Sequence, residues 1–342
     1  MDVTTSWNES LHFCLWKGVS CSPQHQRVSI LNLNSQGLSG FISPSIANLS
    51  FLRLLDLSNN SFRCVVPPEI GRLSRLQRVV LANNSLTGPI PVNLSSCFNL
   101  RILYLSRNNF TGHIPAEFGS MSNLVEVYLD RNYFEGPIPD SFGNISSLKV
   151  LSIQGNEIRG RIPESIGQLK SLNILNVADN SLSGVPAVLG NLKKLSWLGV
   201  IGNNLGKRQA NELSFITSLV NCTQSIELNL DGNNFGGQIS SSLANLSTHL
   251  QAFGISDNKI SRGIPSDIGN LIGLNSLNMH YNQLTGTIPE GIGKLYKLQE
   301  MGFGKNKLSG EIPSSIGNLT LLNQLWLEQN NLQGSIPLSL GN

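Results

Sequence analysis

Side chains that commonly do chemistry are few and scattered in this 342-residue chain. Its five histidines, His12, His25, His113, His249 and His280, show no spacing that would gather ligands around a metal. Gly202-Asn-Asn-Leu-Gly206-Lys207-Arg208 is superficially like a phosphate-cradling loop. It is one residue short, however, and has no hydroxyl residue after the lysine. Gly291-Ile-Gly293-Lys294 is repetitive filler, and the acidic residues are dispersed as solvated charge. No nucleophile, base and orienting group can be assembled, so the sequence predicts neither an enzyme nor a cofactor site. Recognition is the chemistry left open. Ten acceptor sites for N-linked glycans also occur, at Asn8, Asn48, Asn59, Asn83, Asn93, Asn109, Asn144, Asn221, Asn245 and Asn318.

Composition explains the scatter. Leucine appears 53 times and asparagine 39 times, while charged residues make up only 13%, against roughly 25% in an ordinary soluble chain. The net charge is +3 and no basic run stands out along the chain, which argues against a nucleic-acid partner. No apolar run approaches the roughly 20 residues that span a bilayer. An excess of both leucine and asparagine instead points to a repeat. Asn60, Asn84, Asn108, Asn132, Asn156 and Asn180 are each 24 residues apart, and the slot continues at Asn203, Asn233, Asn258, Asn282, Asn306 and Asn330. Gln36 fills the first position, giving thirteen copies. Three steps differ, at 23, 30 and 25 residues, between Asn180 and Asn258.

Each copy follows L-x-x-L-x-L-x-x-N-x-L-x-G-x-I-P; in the fourth these are Leu100, Leu103, Leu105, Asn108, Phe110, Gly112, Ile114 and Pro115. Residues three and five before each asparagine alternate with polar ones, as the two faces of a strand do. The leucines therefore face a core, and each strand pairs with its counterpart in the neighbouring copy. The asparagine, with donors and acceptor in one amide, is placed to satisfy backbone groups of its turn and of the next repeat. One copy cannot bury its own face, so stacking supplies the stability. In the long step, Asn211–Val220 has Leu213, Ile216 and Val220 at helical spacing with Asn211 as N-cap, after a solvated bulge at Lys207 and Arg208. Cys97 and Cys222 fall in slots held elsewhere by Leu73, Met121, Ile145 and Leu169 and are expected in the core. Cys64 takes a glycine slot as an unpaired turn residue.

The positions two, four and six before each asparagine, with the turn residue one before it, face solvent on the strand side. Most are small or polar. Two clusters differ. The first is Arg78, Tyr104, Arg107, Glu126, Tyr128, Asp130 and Arg131; the second is His280, Tyr281, Glu300, Lys305, Trp326 and Glu328. Tyrosine, tryptophan and arginine are enriched where binding energy concentrates, and paired arginines can grip a carboxylate. The competing explanation is that these side chains only stabilise cross-strand neighbours.

This is the leucine-rich-repeat pattern, and its G-x-I-P ending resembles the plant-specific 24-residue class. The resemblance implies a right-handed α/β solenoid with a parallel concave sheet and short 3-10 segments on the convex side. Residues 1–27 would form a partial N-terminal cap and 28–342 the repeat domain, irregular over 204–233. Trp7, Cys14, Trp16, Gly18, Val19 and Cys21 resemble the cap of plant receptor ectodomains, which implies a Cys14–Cys21 disulfide; two free thiols are the alternative. The family's cap begins with a helix ahead of that Trp, and here only Met1–Ser6 precede it. Ile42–Leu52 and Leu213–Thr223 are similar to the immune subfamily of plant receptor-like kinases, which includes receptors for flagellin and elongation factor Tu.

Membership implies a peptide or protein ligand, a co-receptor kinase contacted through further C-terminal repeats, and a place at the extracellular face of the plasma membrane. It also implies that any kinase domain lies outside this chain, which reads as a receptor fragment or an incomplete gene product. An uncapped last repeat near Asn342 is expected to limit solubility. A secreted enzyme inhibitor built from the same repeat, or a receptor-like protein without a kinase, is the alternative.

Overall fold

A computed structural model describes residues 6–207, 209, 212–224 and 226–341. The chain divides into two compact units, Met1–Leu172 and Asn173–Asn342. In the first unit the principal sheet comprises β1 (Val19–Cys21), β2 (Val28–Asn32), β3 (Leu54–Asp56), β4 (Arg78–Val80), β5 (Ile102–Tyr104), β6 (Glu126–Tyr128) and β7 (Val150–Ser152). In the second unit it comprises β8 (Ile174–Asn176), β9 (Trp197–Gly199), β10 (Glu227–Asn229), β11 (Ala252–Gly254), β12 (Ser276–Asn278), β13 (Glu300–Gly302) and β14 (Gln324–Trp326). Each repeat contributes one strand, and the repeat strands β2–β7 and β8–β14 pair in parallel with no slip. Leu31, Leu55, Val79, Leu103, Val127 and Leu151 align in one row. So do Leu175, Leu198, Leu228, Phe253, Leu277 and Met301. Every residue in these rows is buried. A one-residue slip would turn such a row to solvent, so burial fixes the register.

Two features go beyond the sequence reading. β1 is antiparallel to β2, so the cap adds a strand of its own. The stretch before the G-x-I-P ending is also a short strand rather than a plain turn. Ser39–Gly40, Ser61–Cys64, Ser85–Gly88, Asn109–His113, Tyr133–Gly136 and Glu157–Gly160 pair side by side in the first unit. Most of these end on a glycine in the left-handed region, with φ of +73° at Gly88 and +76° at Gly136, where a side chain is strained. Cys64 occupies the same slot with φ of +67° and is exposed and unpaired.

The chain returns through short 3-10 segments, commonly preceded by a proline that sets the extended approach, as at Pro115 before Ala116–Ser120. Their packing is close. A Cβ added to Gly143 would lie 2.5 Å from the Ser165 carbonyl oxygen of the next repeat. Between the sheets and these segments lie fully buried aromatics, among them Phe110 and Phe134, stacked 6.0 Å apart.

The asparagine ladder satisfies the strand-to-turn junction. Asn132 Nδ2 donates to the carbonyls of Leu129, Asp130 and Leu105, and its Oδ1 accepts from the Phe110 amide. The bonds therefore reach back to the preceding repeat, not forward to the next. The half-buried Gln36 side chain donates to the Asn34 carbonyl, its one hydrogen bond among the described residues.

The 30-residue step is absorbed without loss of register. A 3-10 turn at Glu212–Ser214 leads into a helix at Phe215–Leu219. The buried residues are Leu213, Phe215, Ile216 and Leu219, whereas Val220 is a half-buried C-cap. The apolar face is thus rotated from the predicted one, because Phe215 packs against Phe235 at 5.8 Å. The Glu212 carboxylate accepts from the Gly236 amide at 2.7 Å and from the Lys207 amide. Lys207 is exposed; Asn211 and Arg208 lie outside the described residues.

The cap is held by a Cys14–Cys21 disulfide, with Trp7 and Trp16 stacked 5.1 Å apart and their indole N–H groups donating to the Lys17 and Leu11 carbonyls. Cys97 and Cys222 are buried against the Ile70 and Leu189 carbonyls, and burial pushes both thiols up to about 11. A thiol reagent at neutral pH is therefore expected to modify Cys64 alone in the native protein, because the thiolate is the nucleophile. Peptide mapping after mild alkylation checks this, and rapid labelling of Cys97 or Cys222 would show that the core opens there.

All ten acceptor asparagines are exposed. Asn48, Asn144, Asn245 and Asn318 each end a 3-10 segment. When the chain is made through a secretory pathway, glycopeptide mass spectrometry is expected to find these four occupied. Unmodified peptides at all four would remove the case for a glycan-covered 3-10 side.

Candidate functional site

Each candidate cluster is assembled within its own unit. In the first unit Tyr104 and Tyr128 are register partners on β5 and β6, with ring centroids 4.6 Å apart and planes at 79°. The Tyr104 hydroxyl donates to Glu126 Oε2 at 2.5 Å. Burial, then the Glu126 carboxylate, raises the phenol of both tyrosines above its ordinary value. Both therefore remain protonated at physiological pH, and both residues are half-buried.

Asp130 is already occupied. It accepts from the Ser106 hydroxyl at 3.0 Å, the Gln154 amide at 3.1 Å and the Ser152 hydroxyl. A carboxylate so saturated ties three repeats together and has little capacity left for a ligand. Arg107 and Arg131 sit at the strand exits in the left-handed region, with φ of 57° and 53°, exposed and without an ion pair among the described residues. Asn59 and Asn83 hold the same slot in earlier repeats and bond to each other at 2.8 Å, so glycans there would border the arginines. Arg78 begins β4 and is exposed.

In the second unit, His280 and Trp326 meet edge-on at 5.6 Å across the repeat between them. Gly302 and Gly304 make this possible. A Cβ at Gly302 would fall 2.0 Å from His280 Nε2, and one at Gly304 would fall 2.3 Å from the Glu328 carboxylate. The two glycines open a notch into which His280 and Glu328 lean. Burial lowers the His280 pKa, partly offset by Glu328, with Lys305 adding to the lowering. The ring is thus neutral at physiological pH. Lys305 Nζ lies 4.0 Å above the Tyr281 ring and also donates to its hydroxyl. Glu300 accepts from the Ser276 hydroxyl at 3.1 Å.

Sequence reasoning missed Gly302, Gly304 and Asn278. The Asn278 Oδ1 is buried without a hydrogen-bond partner and lies 2.4 Å from where a Gly302 Cβ would be. Two glycines two residues apart, the last residue of β13 and one just past it, were the available signal. Neither cluster holds a proton-transfer pair aimed at one point, and no group of side chains fit for a metal occurs among the described residues. No helix among them is long and apolar enough to cross a membrane.

Comparison with known proteins agrees with this geometry. The family described as leucine-rich repeat region matches residues 85–259, and single leucine-rich repeats match 51–73, 249–271, 273–295 and 297–319. Over 88 residues the chain is 43% identical to the LRR receptor-like serine/threonine-protein kinase EFR of Arabidopsis thaliana, a segment covering 26% of this chain and 8% of that protein. It is 42% identical over 88 residues to the receptor kinase-like protein Xa21 of Oryza sativa subsp. japonica, with the same coverage. The crystal structure of PEPR1-AtPEP1 superposes with a TM-score of 0.85 at 35% identity, covering 99% of this chain and 51% of that one. The plant peptide hormone receptor RGFR1 in complex with RGF2 matches with a TM-score of 0.53 at 30% identity, covering 96% of this chain and 66% of that one. The chain thus spans about half the length of PEPR1, and its match to the two kinases covers under a tenth of their length.

Proposed function

The chain belongs to the leucine-rich-repeat family, and on that premise we propose that it is the ligand-binding part of a plant receptor-like serine/threonine kinase. Its ligand is a peptide or protein held on the exposed strand face, outside the plasma membrane. The observation that carries this reading is the half-buried Tyr104–Tyr128 pair, two protonated phenols side by side on a sheet that otherwise presents mostly small or polar residues. Tyrosine supplies a large rigid contact area with a donor at its tip. Support also comes from PEPR1 with AtPEP1 and RGFR1 with RGF2, receptors whose structures resemble this chain. The likeness to EFR and Xa21 supports the finer reading that the ligand is microbial.

The test is photo-cross-linking of a synthetic peptide library to the full ectodomain, with adducts mapped by mass spectrometry. Adducts at Tyr104, Tyr128 or Trp326 are expected. Adducts confined to the 3-10 segments would overturn the strand-face assignment.

A further inference from the structure

Between Lys17 and Arg107 the chain carries nine lysines and arginines and only two acids, Asp56 and Glu69. Spread along the sequence these look unremarkable, and the sequence reading found no basic cluster. The repeat corrects that, because residues about 24 apart become neighbours. The Arg78 amide donates to the Arg53 carbonyl at 3.0 Å, and Arg53, Arg75, Arg78 and His25 line one cleft of about 560 Å³. Phe51 forms part of its wall. The Arg75 guanidinium stacks 4.0 Å over the Phe51 ring, and His25 meets that ring edge-on at 5.2 Å.

No carboxylate lines the cleft, and none of the three arginines makes an ion pair among the described residues. Asp56 is engaged by the Ser58 amide and hydroxyl. Three arginine side chains thus line one cleft with no carboxylate among its walls, and only Arg75 is engaged by a ring, that of Phe51. In a cleft they focus positive potential, and their planar forks match carboxylates in bidentate fashion.

We propose that this cleft binds an acidic stretch of the polypeptide ligand. The inference rests on the peptide-ligand reading above and adds a charge requirement to it. Two observations favour a peptide over other polyanions. The cleft adjoins the tyrosine surface through Arg78, whose charge acts on the Tyr104 phenol, so one extended chain can occupy both. The Phe51 ring is already covered by Arg75 and His25, so it is not an open platform for stacking bases. The acceptor sites Asn59, Asn83 and Asn109 lie at the strand exits, whereas Arg78 begins its strand. No acceptor asparagine lines the cleft.

The experiment measures anisotropy of a fluorescent oligo-glutamate peptide with the full chain, beside a matched oligo-glutamine peptide. Only the glutamate peptide is expected to bind, with affinity falling steeply between about 50 and about 200 mM salt. The R53Q/R75Q variant is expected to lose about tenfold or more, R53K/R75K to retain part of the binding, and R63Q, outside the cleft, to match the parent. Thermal melts of each variant verify folding. Equal binding of the glutamine peptide, or binding untouched by R53Q/R75Q, overturns the proposal. So does tighter binding of a sulfated polysaccharide or an oligonucleotide displaced by R53Q/R75Q, which would make the cleft a polyanion site. Failure of the cross-linking test at the tyrosines would leave the oligo-glutamate result standing, so the two readings fail separately.

Discussion

Replacing Asn258 by alanine is expected to destabilise its part of the second unit by about 3–5 kcal/mol. The side chain is almost fully buried, at 1% exposure. Its Nδ2 donates to the carbonyls of Leu230, Ile255 and Ser256 at 3.0, 3.1 and 2.9 Å. Its Oδ1 accepts from the Phe235 and Asn233 amides at 2.9 and 3.2 Å. Alanine leaves these groups without their amide partner, and each buried backbone group so stranded costs about 1–3 kcal/mol. The range is set below the full sum because some carbonyls are shared or reach water. Aspartate is expected to be worse than alanine, since an ionised carboxylate accepts but cannot donate and must also be buried as a charge. Gln36→Ala should cost under about 1 kcal/mol, because that half-buried side chain makes one such bond. A stacked repeat array need not unfold in one step, so native-state hydrogen exchange over residues 233–260 is the suitable measurement. Protection reduced by less than about 1 kcal/mol would mean that backbone stacking, not the amide ladder, holds the junction.

That ladder shows what the sequence made legible. Period, inward leucines and the asparagine slot are one-dimensional facts, and they carry over because each repeat meets only its neighbours. Leu103 and Val127 could be placed in one row from their spacing alone. Tyr104 and Tyr128 were legible as a pair for the same reason. Other features depend on side-chain reach, which spacing does not encode. Spacing places Asp130 in the first exposed-face cluster, but only the structure shows that Ser106 and Ser152, one repeat to either side, fill its carboxylate. His280 and Trp326 touch only because Gly302 has no side chain. The arginine cleft escaped notice because charge was weighed along the chain rather than across the stack. The direction of the asparagine bonds, toward the preceding repeat, likewise follows from how the turn leaves the strand.

Tyr128→Ala is expected to weaken binding of the cognate peptide to the full ectodomain by about 2–4 kcal/mol, a loss of roughly 30- to 1000-fold. The ring contributes contact area and the hydroxyl a donor, so Tyr128→Phe should cost only about 1 kcal/mol of affinity. If Tyr128 merely supports its neighbour, a different pattern is expected. Loss of an edge-on aromatic contact then lowers stability by about 0.5–1.5 kcal/mol while affinity stays the same. Measuring both quantities on the same variants separates the two explanations. Trp326→Ala tests the second unit in the same way. Trp326 is 37% exposed and its ring leans on His280, so its removal both deletes contact area and frees the imidazole. Arg107→Ala and Arg131→Ala probe whether the exposed guanidinium pair grips a carboxylate, and their effect should shrink as salt is raised. Affinity unchanged within a few tenths of a kcal/mol in both Tyr128→Ala and Trp326→Ala would place the ligand elsewhere than on either strand-face cluster.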